Sequence, residues 1–289
     1  MPISRNRPDT KAGSQIGRSV KRLESRDKVT GRAEYTHLMQ LPGMLHAKLF
    51  RSTVAHGRIR LLNLSLAKQA TGILHVVTIA DIKKLIPDPY YGPAFRDQPI
   101  LADGKVRFIG EPVAAVLARD PHIAEEAVQL ITAEYEELPA IYDEIDALNS
   151  NTFVHEHLKP AGTFADLKHL QGASGTNIAL DYHLRRGNFD KAYAAAEHKF
   201  EHEFKTQKVL HLPFEPFASI ADYRDGHVSI YTASQSPSFV QIEIARLLGW
   251  PENKVRVKVP YVGGGYGSKL YIKLEGTGSC PFYDCAATR

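Results

Sequence analysis

The sequence has 289 residues, 43% of them hydrophobic and 24% charged, ordinary globular usage with room for two domains. A formal net charge of +4 is small for this length, and beyond the first thirty residues Lys and Arg are spread rather than clustered, which argues against a nucleic-acid face. No apolar run approaches the roughly 18 residues that cross a bilayer, and the polar start Met1-Pro-Ile-Ser-Arg lacks a secretory signal core, so the expectation is a cytoplasmic chain with no membrane partner.

In chain order, residues 1–27 are rich in Arg, Lys and Ser and too polar to bury a core; they are expected as an extended or disordered leader. A first domain is expected over 28–148. Leu45, Ala47 and Leu49 alternate with His46 and Lys48 as a strand, and residues 113–118 form an apolar run suited to a buried strand. Asp120 and Pro121 carry the cap and first position of a helix over 121–130, with Ile123, Ala127 and Leu130 as its apolar stripe. A strand over 131–136 follows. Alternating strand and helix make the fold class α/β or α+β.

Loop formers accumulate over 149–176, the expected linker. Beyond it a second unit is expected over 177–275. Gly187-Asn-Phe-Asp190 introduces a helix over 191–198, and Phe200, His202, Phe204 and Thr206 alternate with charged residues as a strand. Val228, Ile230 and Thr232 suggest another strand, after which Ser236 and Pro237 open a helix that Gly249 and Pro251 stop. Val255, Val257 and Val259 against Arg256 and Lys258 give a last strand with one buried face. The tail 276–289 holds both cysteines, Cys280 and Cys285, which form neither a disulfide framework nor a four-ligand zinc site and read as free thiols.

Two places draw chemical attention. The last strand runs into Gly263, Gly264, Gly265, Tyr266, Gly267, Ser268 and Lys269, a loop whose glycines admit positive φ and close backbone approach, and whose N–H groups suit an anion. It has neither the Gly-Lys-Ser/Thr order of a P-loop nor the spacing of a dinucleotide fingerprint, and taken alone it reads first as a tight turn without a ligand. Gln235 sits where a strand passes into a helix N-terminus, either to meet an oxygen-rich ligand or to satisfy nearby backbone groups. His211 and Glu215 stand four apart, but Pro213 and Pro216 exclude a helix between them and favour a structural loop. Glu111 reads as a turn carboxylate bonded to backbone N–H groups or as a motif residue. Thirteen histidines are scattered without ligand spacing.

The motifs Gln235-Ser-Pro, Val262-Gly-Gly-Gly-Tyr-Gly-Ser-Lys269, His211-Leu-Pro-Phe-Glu-Pro216 and Val106-Arg-Phe-Ile-Gly-Glu-Pro-Val-Ala-Ala-Val116 together resemble the molybdopterin-binding large subunit of the xanthine dehydrogenase, aldehyde oxidase and carbon monoxide dehydrogenase family. The resemblance runs from about Gly31 to Glu275, with a flavour of the 4-hydroxybenzoyl-CoA reductase-like members. It implies an α/β hammerhead domain followed by part of a molybdopterin-binding domain. It implies a molybdenum–molybdopterin cofactor, in the plain or the cytosine-dinucleotide form, with Gln235 near the molybdenum and Gly264, Gly265, Tyr266, Gly267 and Ser268 bordering the cofactor. It further implies an iron–sulfur small subunit and an FAD-binding medium subunit as partners, and a small-molecule substrate hydroxylated or dehydroxylated at carbon. Residues 276–289 depart from the family pattern, and the family's general-base glutamate matches no position here. The expectation is a truncated chain that is inactive alone; the alternative is a non-catalytic cofactor-binding or assembly fragment.

Overall fold

The computed structural model describes residues 16–156, 175–181 and 183–270. Most of the expected linker, and the whole tail with its two cysteines, lie outside them.

After a short helix α1 (Ser25–Val29), the first unit contains β1 (His46–Arg51), β2 (Gly57–Asn63), α2 (Ser65–Gln69), β3 (Ile73–Thr78), α3 (Ile79–Leu85) and β4 (Tyr90–Tyr91). It continues through β5 (Gln98–Pro99), β6 (Lys105–Val106), β7 (Pro112–Ala118), α4 (Pro121–Val128), β8 (Thr132–Glu137) and α5 (Glu144–Leu148). The Val/Ala/Leu run of β7 has no polar face, so it can be central. It pairs antiparallel with β1 and β3, and Val113 through Ala118 are buried. A second antiparallel sheet has the order β6-β2-β8. Helix α4 packs on β1 and β7, and Asp120 caps it by accepting from the N–H groups of His122 and Ile123. Thr78 and Asp81 close a capping box at the start of α3.

The second unit holds α6 (Phe189–Ala195), β9 (Ser219–Arg224), β10 (His227–Thr232), α7 (Pro237–Leu248) and β11 (Val255–Lys258). Asp225 and Gly226, both at positive φ, make the two-residue turn that folds β9 back on β10. Helix α7 then carries the chain over to β11, which lies parallel to β10 with Val228 opposite Val255 and Tyr231 opposite Lys258. Gly249 at φ 65° ends α7 in a left-handed cap.

The two units share one core. Val77, Ile82, Ile86, Ile100, Leu101 and Leu117 of the first pack in one cluster with Val228, Ile230, Phe239, Ile244 and Leu247 of the second. Arg246 on α7 donates to the Tyr90 carbonyl (2.8 Å) and to Glu243, whose side chain is fully buried. Among the described residues no helix is long and apolar enough to cross a membrane.

Several expectations change on inspection. The helix after Asp120 ends at Val128, two residues early, and the helix after Gly187 spans Phe189–Ala195 instead of 191–198 because Asn188 caps it by accepting from Lys191 N–H. Residues 200–206 form no strand: no described segment pairs with them, and Phe200 and Phe204 are exposed, so alternation alone does not make a ladder. Ser236 occupies the N-cap of α7, but its hydroxyl makes no cap bond; its own N–H donates to Ser234 Oγ at 3.0 Å. The leader is not extended to its end, since residues 25–27 lie in α1.

Because the core crosses both units, they should unfold together. Trp250, the single tryptophan, packs on the shared cluster, so its fluorescence and the far-ultraviolet circular dichroism should trace one denaturation curve. Ile244→Ala should move both curves down by about 2–5 kcal/mol. Curves that separate would show that the units melt independently.

Candidate functional site

In a parallel pair joined by a helical crossover, both strands end on the same edge of the sheet, and ligands of α/β proteins favour that edge. Here it holds the two segments that the sequence singled out. Ala233, Ser234 and Gln235 leave β10 toward α7, and residues 259–270 leave β11. They meet directly: Gln235 N–H donates to the Lys269 carbonyl (2.8 Å), and Gln235 Oε1 accepts from Gly267 N–H (3.0 Å). The Gln235 side chain donates to no described residue, which leaves its amide N–H groups available on an exposed residue.

The loop itself closes by Ser268, whose N–H and hydroxyl both donate to the Gly265 carbonyl (2.8 and 2.7 Å), and by Leu270 N–H to the Gly267 carbonyl (3.1 Å). Gly264, Tyr266 and Gly267 all have positive φ, at 99°, 53° and 97°. Tyr266 is the exception among them in having a side chain; it pays the left-handed strain and holds its ring 72% exposed. Within this frame the N–H groups of Gly264, Gly265 and Tyr266 find no acceptor among the described residues, although Gly265 is buried. Three successive N–H groups without a described acceptor, in a turn that alternates the sign of φ, are the chemistry of an anion- or oxygen-binding concavity.

The glycines divide by cause. A Cβ on Gly265 would stand 2.4 Å from Gln235 Oε1, and one on Gly263 would stand 2.6 Å from Glu215 Cβ. These two glycines make room for protein. At Gly267 the nearest described atom to such a Cβ is His211 Nε2 at 3.7 Å, so this glycine is required by its φ and leaves its outer side open.

Around the loop, five contacts come from Glu215, Asp27, Lys28 and Tyr35, which the sequence reading did not place in the site. Glu215 Oε2 accepts from Gly263 N–H (2.7 Å) and from Lys269 Nζ (2.6 Å), with both side chains buried. Asp27 accepts from the Tyr261 hydroxyl (2.9 Å), Lys28 Nζ donates to the Val262 carbonyl (2.9 Å), and Tyr35 packs edge-on to Tyr261. No local spacing signals these contacts, because the partners are 54 and 234 residues apart in sequence. Glu111 lies away from the loop, bonded to Arg107 through its backbone N–H and its guanidinium; burial pushes the Glu111 carboxyl upward against the pull of Arg107. Its bond from the Arg107 N–H fits the turn-carboxylate reading. Among the described residues no group of three His, Cys, Asp or Glu side chains could hold a metal ion directly.

Comparison with known proteins finds relatives over most of the chain. Residues 30–139 match the aldehyde oxidase and xanthine dehydrogenase a/b hammerhead domain, and residues 170–277 match the molybdopterin cofactor-binding domain. The chain is 32% identical over 261 residues to the nicotinate dehydrogenase large molybdopterin subunit of Eubacterium barkeri, covering 90% of this chain and 57% of that one. It is 32% identical over 267 residues to the carbon monoxide dehydrogenase large chain of Hydrogenophaga pseudoflava, covering 89% and 31%. The crystal structure of quinoline 2-oxidoreductase from Pseudomonas putida 86 superposes with a TM-score of 0.78 at 32% identity, over 93% of this chain and 33% of that one. The chain thus spans between about a third and just over half of the length of these relatives.

The division of the glycines is testable by two alanine variants. Gly267→Ala should cost about 1–2 kcal/mol of backbone strain in chemical denaturation, and Gln235 should stay in place. Gly265→Ala has an ordinary φ but collides with Gln235, so it should speed amide exchange at Gly267 by releasing the bond to Oε1. Unchanged exchange at Gly267 in that variant would contradict the packing described here.

Proposed function

The chain belongs to the xanthine dehydrogenase, aldehyde oxidase and carbon monoxide dehydrogenase family of molybdopterin-dependent oxidoreductases, and from that premise we propose that it is a molybdenum-cofactor-binding part of a molybdenum-hydroxylase large subunit. The observation that carries the proposal is the row of N–H groups at Gly264, Gly265 and Tyr266 that meet no acceptor among the described residues, beside a Gln235 amide that donates to none of them. An oxygen- and sulfur-rich metal–pterin group fits this donor set, which offers backbone and amide hydrogens.

When bound, the cofactor supplies the two-electron chemistry of hydroxylating or dehydroxylating a carbon centre. The residues of this chain do the holding. Gln235 would offer its Nε2 hydrogens to the bound group while its Oε1 stays bonded to Gly267, which fixes the amide's orientation. Gly264, Gly265 and Tyr266 would donate from the backbone, Ser268 braces the turn from inside, and the bare Gly267 would admit the group at close range. The exposed Tyr266 side chain would be available to flank it. A rigid backbone cradle of this kind orients a reacting group at no further entropic cost.

The cofactor is of the plain or the cytosine-dinucleotide form. The substrate proposed is an aromatic, heterocyclic or aldehyde molecule; the names of the nicotinate and quinoline relatives support a nitrogen heterocycle. We further propose that electrons pass to an iron–sulfur small subunit and an FAD-binding medium subunit in the cytoplasm; the relatives' names, a large subunit and a large chain, support smaller partner subunits only.

The test is the molybdenum content of the 289-residue chain purified from a host that makes the cofactor. Gly267→Val should abolish most of it, because a branched side chain occupies the open face and the φ is unfavourable. Gln235→Ala should retain a larger share, having lost one hydrogen bond of about 1–3 kcal/mol. Equal molybdenum in the wild type and Gly267→Val, or none in the wild type, would overturn the proposal.

A further inference from the structure

We infer that Glu215 and Lys269 act together as the positioning pair of the 263–268 loop, holding its N–H groups in a binding-ready arrangement before any ligand arrives. What the loop holds rests on the function proposed above; the positioning itself does not. One carboxylate oxygen, Glu215 Oε2, takes both the first N–H of the loop at Gly263 (2.7 Å) and the ammonium of Lys269 just beyond its end (2.6 Å). The main chain repeats the join: Glu215 N–H reaches the Gly263 carbonyl (3.3 Å), and the Lys269 carbonyl accepts from Gln235 N–H (2.8 Å). Three segments far apart in sequence therefore converge on the two ends of one turn.

Packing alone does not require these residues. Neither side chain reaches solvent, with 2% and 1% of their side-chain surfaces exposed, and two charges so buried are tolerated only as a pair. Apolar side chains would fill the same volume, but they would offer Gly263 no acceptor and would leave the ends of the loop unlinked. The distance between the ends sets the curvature between them, and the curvature decides where the N–H groups of Gly264, Gly265 and Tyr266 lie. The remaining oxygen, Glu215 Oε1, is buried with no described partner, so the carboxylate is committed to the loop through its other oxygen alone. Phe217 adds a ring 5.8 Å from Lys269 Nζ, a further restraint on the ammonium.

Three variants of the 289-residue chain separate positioning from mere burial: Glu215→Gln, Lys269→Met and the double variant. Each single change strands one buried charge, so the thermal midpoint should fall and amide exchange across 262–270 should accelerate by about tenfold or more. The double variant removes both charges and keeps an amide oxygen for Gly263. It should recover most of the midpoint, yet exchange in the loop should stay fast and the molybdenum content should stay well below the wild-type level. A double variant with wild-type loop exchange, or one with wild-type molybdenum, would overturn the inference and reduce the pair to a neutralised core contact. Should neither single variant fold, the double variant alone decides between these results. If the wild-type chain itself carries no molybdenum, the proposed function fails, and the exchange comparison still decides whether the pair shapes the loop.

Discussion

The parallel pairing of β10 with β11 is the constraint on which the rest of the site depends. Had the two strands run antiparallel, the residues after them would leave at opposite edges of the sheet, and Gln235 would lie a strand's length from the glycine loop. Parallel pairing demands a crossover, and α7 is that crossover. The sequence of α7 serves this purpose at each end: Pro237 starts it immediately after Gln235, and Gly249 ends it with the turn that sends the chain back under the helix. Its buried face, Phe239, Val240, Ile244 and Leu247, fastens the crossover to the core common to both units. The position of one amide thus traces back to strand direction, helix length and helix burial.

On this scaffold the loop spends stability for exposure of its donors. Positive φ at Tyr266, N–H groups without a described acceptor and a buried ion pair are each unfavourable by themselves, the pair carrying a desolvation penalty on the order of several kcal/mol per ion before the charges attract. The shared hydrophobic core offsets this. Contacts from the start of the chain contribute as well, since Asp27 and Lys28 hold Tyr261 and Val262 at the approach to the loop. A stretch of sequence that composition alone would dismiss as polar leader is, in its last residues, part of the support of the site.

Much of the architecture is legible in the residues, and what is not has physical reasons. The Val/Ile alternation of β10, the Ser-Pro start and Gly stop of α7, the apolar run of β7 and the Asp120 cap are local signals, and the structure contains each element. Strand β2 hides because a bulge between Ile59 and Leu61 breaks its alternation. Thr78 and Asp81 have capping-box spacing, a signal for α3 that was there to be read. The alternation over 200–206 shows the converse, a strand pattern for which the described fold provides no neighbour. In the loop, sequence reasoning treats four glycines as one device, whereas Gly263 and Gly265 yield to Glu215 and Gln235 and Gly264 and Gly267 yield to φ. The Glu215–Lys269 pair is invisible to any local pattern, because only the fold brings the two residues together.

The central claim is that the N–H groups of Gly264, Gly265 and Tyr266, with the Gln235 amide, face a metal–pterin group. Diffraction from crystals of the chain purified from a molybdopterin-making cell tests this most directly. The account predicts density for the pterin's metal end within hydrogen-bond distance of those donors, with Gln235 Oε1 still on Gly267. A cofactor seated elsewhere on the chain, with these N–H groups facing only water, would contradict it.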